Sequence, residues 1–467
     1  MKRLVLLLAT ASLAHAGTPA DKQPVAPVPP PPPGYAPITF FDGKLTVDIQ
    51  EKMRAEIREN NFDFDSSVNG PQDAAWLLNR FRLGIGYSVT PWLKLYVQGQ
   101  DVREIGGSRP NEIGVLGAEG DDTFDILKAY IQAGDVKNGL SATVGRQFLS
   151  YGDQRLVGPL EWLNQARTFD AIKLRYATPT WSLDLFTSSP VNFRDHMWNQ
   201  SDFLDDDEVR NSIFSGAYFS MPTLVPWHAA SDFYVFHKME DKTSGAAAAG
   251  PPLGAVGDTN FWTVGTLLKG DPKKLNGWDY STEMAFQFGK AGGLDHSAFA
   301  GNWGFGYNFK HAWKPRLGVQ YSYATGDSSP LDGDSETFQN LYPTNHLFYG
   351  YMDTASWQNI HNPELNFSFM PTPKLKVMLD YHAFWNDTNG ELWYRANGVT
   401  PVRPPAAAAG ATDTFRGHEV DLTAVYKFNP HVALQAGYSL FIAGNYLAQT
   451  GASDNAHFGY VQVQIDF

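Results

Sequence analysis

The stretch that decides the fold is His457–Phe467, which reads HFGYVQVQIDF. Side chains along a strand point alternately to its two faces. One face therefore carries Val461, Val463, Ile465 and Phe467, and the other carries Tyr460, Gln462, Gln464 and Asp466. A strand that is apolar on one face and closes the chain with an aromatic residue is typical of outer-membrane β-barrels. The sequence therefore predicts such a barrel.

The N-terminal residues predict that the chain leaves the cytoplasm. Met1–Arg3 is positively charged, Leu4–Leu13 is apolar, and Ala14–Ala16 fits a cleavage site with small residues at its first and third positions. Together they indicate a secretory signal peptide over residues 1–16.

Residues 17–40 form the linker-like stretch of the chain. Pro24, Pro27 and the run Pro29–Pro33 favour extended polyproline II geometry and lack the N–H groups that a strand ladder needs. We expect a largely unordered, Pro-rich periplasmic lead-in here, followed by one barrel over residues 41–467.

The composition narrows the class of protein. No later stretch approaches the ~18 consecutive apolar residues of a membrane-spanning helix, yet the chain holds 31 Phe, 21 Tyr and 13 Trp. Apolar surface is therefore spread over alternating strands. Because the chain has no cysteine, disulfide scaffolds, cysteine-bound zinc and thiol nucleophiles are excluded.

The same alternation runs through the chain from about Leu45 without a linker. In a membrane barrel the apolar set faces lipid and the polar set faces the lumen. The segments of this kind predict an all-β fold, a transmembrane, antiparallel barrel of roughly eighteen strands with room for a pore. Basic side chains with lumenal parity include Arg54, Arg58, Arg80, Arg82, Lys94, Lys128, Lys173 and Arg175.

The connections predict the topology. Short turns with proline are at Thr90–Pro91, Thr178–Pro179, Thr372–Pro373 and Asn429–Pro430, and long Gly- and Asp-rich connections are near residues 103–123, 190–211, 326–363 and 386–415. Bacterial barrels have short periplasmic turns and longer extracellular loops. The two kinds of connection therefore mark the two ends of the barrel.

Charge is distributed unevenly along the chain. Residues 44–180 contain 16 Lys/Arg and 18 Asp/Glu, a balance of -2, whereas residues 181–467 contain 17 and 29, a balance of -12. Most of the local positive field is therefore expected in the first third.

The densest polar signal forms two groups of short blocks. They are Gly145–Gln147, Tyr151–Leu156, Glu161–Asn164 and Arg167–Ala171, then Leu341–His346, Tyr349–Asp353 and Trp357–Asn359. At these residues the chain resembles the alginate-export family of outer-membrane channels, over nearly the whole mature barrel. The resemblance implies a monomeric barrel of about eighteen strands in the bacterial outer membrane. It also implies that a polyanionic polysaccharide crosses through an arginine-lined constriction.

The sequence is compatible with three functions to different degrees. The leading hypothesis is passive passage of an anionic, alginate-like polysaccharide or its oligomers. The alternative is a diffusion porin, either general or selective for small anions or sugars. An enzyme is disfavoured, because the 12 His form no HExxH motif and no Ser-His-Asp arrangement can be located. Expected partners are the polysaccharide, outer-membrane lipid and, for an export role, periplasmic export machinery, with neither a cofactor nor nucleic acid.

Arginine suits a carboxylate polymer, because its planar guanidinium is permanently charged and matches the carboxylate in shape. The lumenal cations are therefore predicted to line the substrate path, although each could instead form a wall ion pair. The parity of Arg146 conflicts with a place in the lumen. Val144 and Leu140 share this parity, which faces lipid, and an arginine at the membrane midplane costs ~2–4 kcal/mol. Either a bulge at Gly145 turns it inward or it lies at the membrane interface.

The segment Phe148–Asp170 has no alternating apolar pattern, yet it holds Trp162 and Phe169. We expect it to fold partly into the lumen, with these aromatic rings against the inner wall. Arg155 and Arg167 would then face the path and concentrate positive charge in a narrow neck.

Other polar residues carry weaker signals. Asp153 and Asp170 either orient Arg155 and Arg167 or form structural ion pairs. Gly84 and Gly86 resemble part of a phosphate loop but open no helix, so they are expected to be lumenal strand glycines. The acidic runs Asp332–Glu336 and Asp205–Glu208 lack the spacing of a calcium loop and are expected to be solvated.

Overall fold

The structure is a computed structural model that describes residues 37–68, 73–107, 119–193, 198–201, 212–241 and 257–467. Within these residues eighteen long strands form one wall. The strands, labelled β1 to β18, are Leu45–Glu59, Ala75–Thr90, Leu93–Ile105, Asp122–Gly134, Gly139–Gln147, Phe169–Ala177, Ser182–Asn192, Ser212–Ser220, His228–Glu240, Thr259–Gly270, Trp278–Ala291, Leu294–Asn308, Arg316–Ala324, Ile360–Thr372, Leu375–Trp385, Phe415–Lys427, Val432–Ala443 and Ala456–Asp466. The predicted signal peptide lies outside the described residues.

Several short elements accompany the wall. They are the strands Ile38–Phe40, Gln200–Ser201 and Asp334–Ser335, the 3-10 turn Asn345–Leu347, and the helices Pro405–Ala408 and Asn445–Thr450. Ile38–Phe40 pairs with the start of β1, so the predicted lead-in ends in a strand where it meets the barrel. No helix within the described residues has the length and apolar character needed to cross a membrane.

The wall strands close into a barrel. Each pairs antiparallel with its sequence neighbours, and β18 returns to pair with β1 from Gln50↔Asp466 to Glu59↔His457. At this seam the Phe467 N–H donates to the Ile49 carbonyl oxygen at 2.8 Å, and the Ile49 N–H donates back at 2.7 Å. Closure pairs both edge strands of the sheet. A β-structure in lipid requires this, because unpaired backbone groups find no water there. The predicted antiparallel barrel of about eighteen strands is confirmed.

The connections alternate between two kinds, as predicted. The four proline turns join β2 to β3, β6 to β7, β14 to β15 and β16 to β17, while the connections over residues 148–168, 325–359 and 386–414 lie at the opposite end. One connection at the long-loop end is a tight turn, Gly292–Gly293, with φ of +57° and +86°. Glycine adopts such angles without steric strain. By the rule for bacterial barrels, the long-loop end is predicted to be extracellular.

β1 shows how the alternation separates lumen from lipid. Lys52 and Arg54 are buried within the barrel, whereas Met53 and Ile57 between and beyond them are 40% and 53% exposed on the outer face. The outer face is thus apolar in the way that lipid requires, and the basic side chains are turned inward.

An aromatic belt marks the outer face near the long-loop end. Three strand pairs repeat one diagonal contact, a tyrosine hydroxyl within 2.6–2.7 Å of a histidine Nδ1. The pairs are Tyr321 with His361, Tyr381 with His418, and Tyr438 with His457. Amphipathic rings of this kind favour the boundary between hydrocarbon and headgroups.

Candidate functional site

The connection between β5 and β6, residues 148–168, crosses the lumen. Near one end Asp153 forms an ion pair with Lys269 on β10. Residues 161–163, here called the tip, lie near the other end. There the Trp162 carbonyl oxygen accepts a hydrogen bond of 2.9 Å from Lys52 Nζ on β1. In a wall of eighteen strands, β1 and β10 stand half a circumference apart. The segment, here called the crossing segment, therefore spans the barrel from wall to wall.

A second inward segment, residues 339–353, packs along the crossing segment. Val157 and Tyr342 form a parallel bridge, and the Thr344 N–H donates to the Gln154 carbonyl oxygen at 2.9 Å. The two segments thus make one hydrogen-bonded layer across the lumen.

The tip of the crossing segment is held by four basic side chains, here called the basic wall cluster. Lys52 and Arg54 come from β1, and Arg80 and Arg82 come from β2; each is at most 4% exposed. Lys52, Arg54 and Arg80 donate hydrogen bonds of 2.6–3.3 Å to the carbonyl oxygens of residues 161–163. The early strands therefore fix the backbone of the tip.

Glu161 adds a side-chain contact to the same cluster. Arg82 Nη1 donates to its two carboxylate oxygens at 3.1 and 2.9 Å, and Arg80 Nη2 donates at 3.3 Å. Burial in the barrel raises the pKa of Glu161, but Arg82 and Arg80 outweigh it and lower the pKa to about 2. Solvent still reaches 41% of the side chain. Glu161 is thus an ionised carboxylate bound by two arginines on the lumenal surface.

Arg54 differs from its neighbours because two acids neutralise it. Its Nε donates to Glu56 at 2.5 Å and its Nη2 donates to Glu119 at 2.7 Å. Burial raises the pKa of Glu119, and the Arg54 charge opposes that rise. Arg54 is therefore a structural anchor, whereas Arg80 and Arg82 have Glu161 as their one carboxylate partner among the described residues.

The Trp162 side chain packs against both the second inward segment and the wall. Its ring stacks on His346 with centroids 3.9 Å apart and meets Tyr460 of β18 edge-on at 5.0 Å. The Arg54 guanidinium carbon lies 4.0 Å from its centroid, in the range of a cation–π contact. The prediction that Trp162 packs against the inner wall agrees with these contacts. Phe169 is fully buried, edge-on to Tyr342 at 5.1 Å.

Arg155 and Arg167, which the sequence predicts to face the path, make hydrogen bonds within the layer of inward segments. Arg155 is 2% exposed and donates to the Tyr349 hydroxyl at 3.2 Å. Arg167 Nη1 donates to the carbonyl oxygens of Gly158 and Pro343 at 3.0 and 2.8 Å. Both arginines join the crossing segment to the second inward segment, because these carbonyl and hydroxyl groups lie within the layer.

The two acids predicted to orient these arginines have other partners. Asp153 pairs with Lys269. Asp170 binds Arg146 through two hydrogen bonds of 3.0 and 3.1 Å. Of the two readings left open from sequence, the structural ion pair is therefore the one observed.

Arg146 is shielded from lipid without a bulge. It is 8% exposed and also donates to the Ile126 carbonyl oxygen at 3.1 Å. Gly145 has φ of +121°, but the registers with β4 and β6 run through it unbroken. Arg146 lies one residue from the long-loop end of β5. The second alternative, a position at the interface, fits this location, and Asp170 neutralises the charge there.

The remaining predicted path residues are dispersed along the wall. Arg58 donates to Glu56 at 3.3 Å, and Lys128 Nζ lies 4.6 Å from the Phe148 ring centroid. Towards the short-turn end, Lys94 is exposed, Lys173 is half-buried, and Arg175 Nη1 donates to Asp184 at 2.5 Å. Of these residues, Lys128 lies close enough to the tip to attract the Glu161 carboxylate. The other five, Arg58, Lys94, Lys173, Arg175 and Arg146, do not converge with the basic wall cluster on the tip.

Gly84, predicted to be a lumenal strand glycine, lies where the neighbouring side chains leave no room for a Cβ. A Cβ at this position would lie 2.4 Å from the Asp48 carboxylate and from the Tyr96 hydroxyl. The missing side chain leaves room for the Tyr96 hydroxyl to donate to Asp48 at 2.8 Å. This close approach requires glycine.

The acidic runs remain apart from the site. Asp334–Ser335, within one run, pairs in parallel with Asp295–His296 of β12. Across the ranges that the structure describes, no group of three or more His, Asp or Glu side chains is arranged to hold a metal ion. The run at residues 205–208 lies outside those ranges.

Sequence reasoning left three side chains of this candidate site out of the predicted path: Lys52, Glu119 and Glu161. Lys52 has lumenal parity on β1, so the alternation could have found it. Glu161 lies in one of the family-like blocks. Glu119 precedes β4 in a connection and shows no sequence signal, since its contact with Arg54 depends on how that connection folds back.

Comparison with known families accounts for the whole barrel. The family model described as Alginate export matches residues 44–461. The chain belongs to the alginate export family. None of the curated proteins matches it in sequence.

Solved structures resemble this family member in fold. OccK11 (OpdR) of Pseudomonas aeruginosa is 12% identical with a TM-score of 0.56, covering 91% of this chain and 96% of its own. OpdK of the same organism, solved with vanillate, is 10% identical with a TM-score of 0.56, covering 91% and 97%. Acinetobacter baumannii OccAB4 is 10% identical with a TM-score of 0.54, covering 90% and 98%. The chain is therefore a β-barrel channel of the bacterial outer membrane.

Proposed function

We propose that this barrel is a passive, non-enzymatic channel for an anionic, alginate-like polysaccharide or its oligomers, with the basic wall cluster at its constriction. The observation that carries the proposal is the position of that cluster. Lys52, Arg80 and Arg82 stand where the crossing segment narrows the lumen, and Arg80 and Arg82 already bind one carboxylate, that of Glu161. A uronate polymer presents the same group at every sugar.

The physical basis is charge held in a restricted, partly dehydrated space. Arginine forks bind carboxylates more strongly and more directionally than neutral donors do. Low-dielectric walls focus the field of such groups and raise the local concentration of anions. Family membership supports a polysaccharide as the substrate. Periplasmic export machinery would be the partner on the other side of the membrane.

The second candidate function is a diffusion porin for small anions or sugars. It is favoured by the layer of two inward segments, because Val157–Tyr342 pairing and the Asp153–Lys269 contact leave less of the lumen open. A porin for small anions would share the anion preference of the polysaccharide channel. They differ in whether a long chain binds better than its isolated sugar.

Conductance of the purified protein in planar bilayers distinguishes the two. An alginate oligomer of defined length is added to one side and block of the ion current is measured against glucuronate and a neutral maltodextrin of equal length. We expect the alginate oligomer to block at far lower concentration than glucuronate, and the maltodextrin to block weakly. Equal block per sugar by oligomer and monomer would favour the porin instead.

A variant pair ties this block to the cluster. Arg80→Gln with Arg82→Gln removes two lumenal charges, and Arg103→Gln is a control because Arg103 lies on the outer face paired with Asp101. Block by the alginate oligomer should weaken in the double variant and persist in the control. Unchanged block in the double variant would place the polymer path elsewhere.

A further inference from the structure

The basic wall cluster makes two separate sets of contacts with the crossing segment. Lys52 and Arg54 donate hydrogen bonds to carbonyl oxygens of the tip backbone, at 2.6–3.3 Å, and Arg54 also lies over the Trp162 ring. Arg82 binds only the Glu161 side chain, at 2.9 and 3.1 Å, and Arg80 takes part in both sets. The Glu161 side chain can therefore leave its arginines while the backbone of the tip stays in place.

The arginines that hold Glu161 have unused hydrogen-bonding capacity. Arg80 is 1% exposed and Arg82 is 4% exposed. The Arg80 Nε and Arg82 Nη2 groups are nevertheless without a hydrogen-bond partner in the protein. A buried donor left unpaired is unfavourable by about 1–3 kcal/mol, and more when it is charged. The pair of guanidinium groups thus offers more donors than one carboxylate uses.

Charge is also unbalanced at this position. Two guanidinium groups face a single carboxylate, and Lys128 adds a further attraction to Glu161. Arg54 does not contribute to the excess, since Glu56 and Glu119 neutralise it. The local excess of positive charge would favour a second anion, or a better-placed one.

We propose that Arg80 and Arg82 form a carboxylate-binding site of the constriction, that Glu161 occupies it as an internal competitor, and that a uronate carboxylate binds there by displacing Glu161. This inference rests on the proposed function and names the binding site within it. The 41% exposure of the Glu161 side chain lets a lumenal ligand reach the site. The backbone contacts from Lys52 and Arg54 keep the tip in position during the exchange.

The test is Glu161→Gln, which keeps the shape of the side chain and removes its charge. Binding of a short alginate oligomer to the purified full-length protein is measured by calorimetry, and block is measured in planar bilayers. We expect the Kd of the oligomer to fall by about tenfold, because the competitor no longer holds the arginines. Glu59→Gln is the matched control, since Glu59 is exposed at the end of β1 and changes the net charge equally. It should leave the Kd unchanged.

Two further measurements separate charge from space. The neutral maltodextrin should bind wild type and Glu161→Gln equally; a gain for this sugar as large as the gain for alginate would mean that the substitution only widens the lumen, and would overturn the proposal. Adding Arg82→Gln to Glu161→Gln should abolish the gain. A gain that survives loss of Arg82 would also overturn it.

Failure of this inference differs from failure of the proposed function. If wild type binds the alginate oligomer and Glu161→Gln binds it no better, the exchange is refuted and the channel function stands. If wild type prefers the monomer glucuronate, polysaccharide passage is refuted, and tighter glucuronate binding by Glu161→Gln would still support the carboxylate site. Unchanged glucuronate binding would refute both.

Discussion

The early and late strands of this barrel bury inward side chains of opposite charge. On β1 and β2 the inward charges are mostly cations, and the crossing segment supplies carbonyl oxygens and one carboxylate to them. On β14 to β16 the inward charges include a group of acids, here called the acidic wall: Glu364, Asp380, Asp421 and Glu419, each at most 8% exposed. β17 and β18 separate the two walls.

The acidic wall has fewer compensating groups. Asp380 and Asp421 face each other in the register of β15 and β16, and His382 Nε2 approaches Asp421 at 3.9 Å. Glu419 accepts a hydrogen bond of 2.8 Å from the Met352 N–H of the second inward segment. The same alternation of inward and outward side chains produces both walls. The inward segments then determine which of the inward charges can still bind a ligand. On the basic side a loop covers cations with groups that a ligand could replace.

The largest expected effect is on ion selectivity. Arg80→Gln with Arg82→Gln should lower the anion-to-cation permeability ratio by roughly tenfold, because a focused pair of lumenal charges is lost. Reversal potentials in a KCl gradient measure it. Arg103→Gln on the outer face should leave the ratio unchanged. A double variant with wild-type reversal potential would show that the basic wall is structural.

Loosening the tip should have the next effect. Trp162→Ala removes the stack on His346 and the support of Arg54, and a buried Trp→Ala change costs about 3–5 kcal/mol of local packing. We expect higher and noisier single-channel conductance, with protection of the backbone amides of residues 161–163 lost in hydrogen exchange. Phe467→Ala, at the seam, is the control for general destabilisation. An unaltered conductance would separate the tip from the ion path.

Neutralising the acidic wall should act in the opposite direction and less strongly. Asp380→Asn with Asp421→Asn removes two inward carboxylates, so the anion-to-cation permeability ratio should rise by about twofold. The effect is smaller because no loop places these acids at the tip. Reversal potentials again provide the measurement, with Glu59→Gln as the matched change of charge. A fall in the ratio would contradict the assignment of the two walls.

The smallest expected effect concerns pH. The pKa of Glu161 is lowered to about 2 in the folded protein, against about 4.3 for an ordinary glutamate. Its stabilising contact is therefore fully present above about pH 4.3 and is lost as the pH falls towards 2. The difference in unfolding free energy between wild type and Glu161→Gln, from urea titrations, should be constant from pH 7 to 5 and shrink below that. A difference that grows on acidification would mean that Glu161 is not held as a carboxylate.

The sequence predicted most of the wall because a membrane imposes simple rules on it. The alternation in β1 and the proline turns gave the strand number, the two ends and the inward position of Arg54, Arg80 and Arg82. The nearly balanced early charge of -2 and the acidic late charge of -12 are consistent with the two walls, because charged side chains with lumenal parity must face the lumen.

The interior was harder to predict because its contacts join residues distant in sequence. Lys52 meets the carbonyl oxygens of residues 161–163 about a hundred positions away, and no periodic pattern encodes that distance. Arg155 looked like a path residue because its charge was visible, while its burial against Tyr349 depends on a second loop. Arg146 could not be placed by parity alone, since Asp170 on the neighbouring strand decides its environment.

The seam between β1 and β18 sets the order in which this barrel can be made. Every other wall contact joins consecutive strands, so it can form as a local hairpin. The seam contact between Gln50 and Asp466 joins residues 416 positions apart. Closing so long a stretch of chain is entropically the least favourable pairing, and such non-local contacts dominate the time that a fold needs. Until Phe467 meets Ile49, both edge strands expose unpaired backbone groups to lipid, so the sheet becomes fully compatible with the membrane only at its final contact.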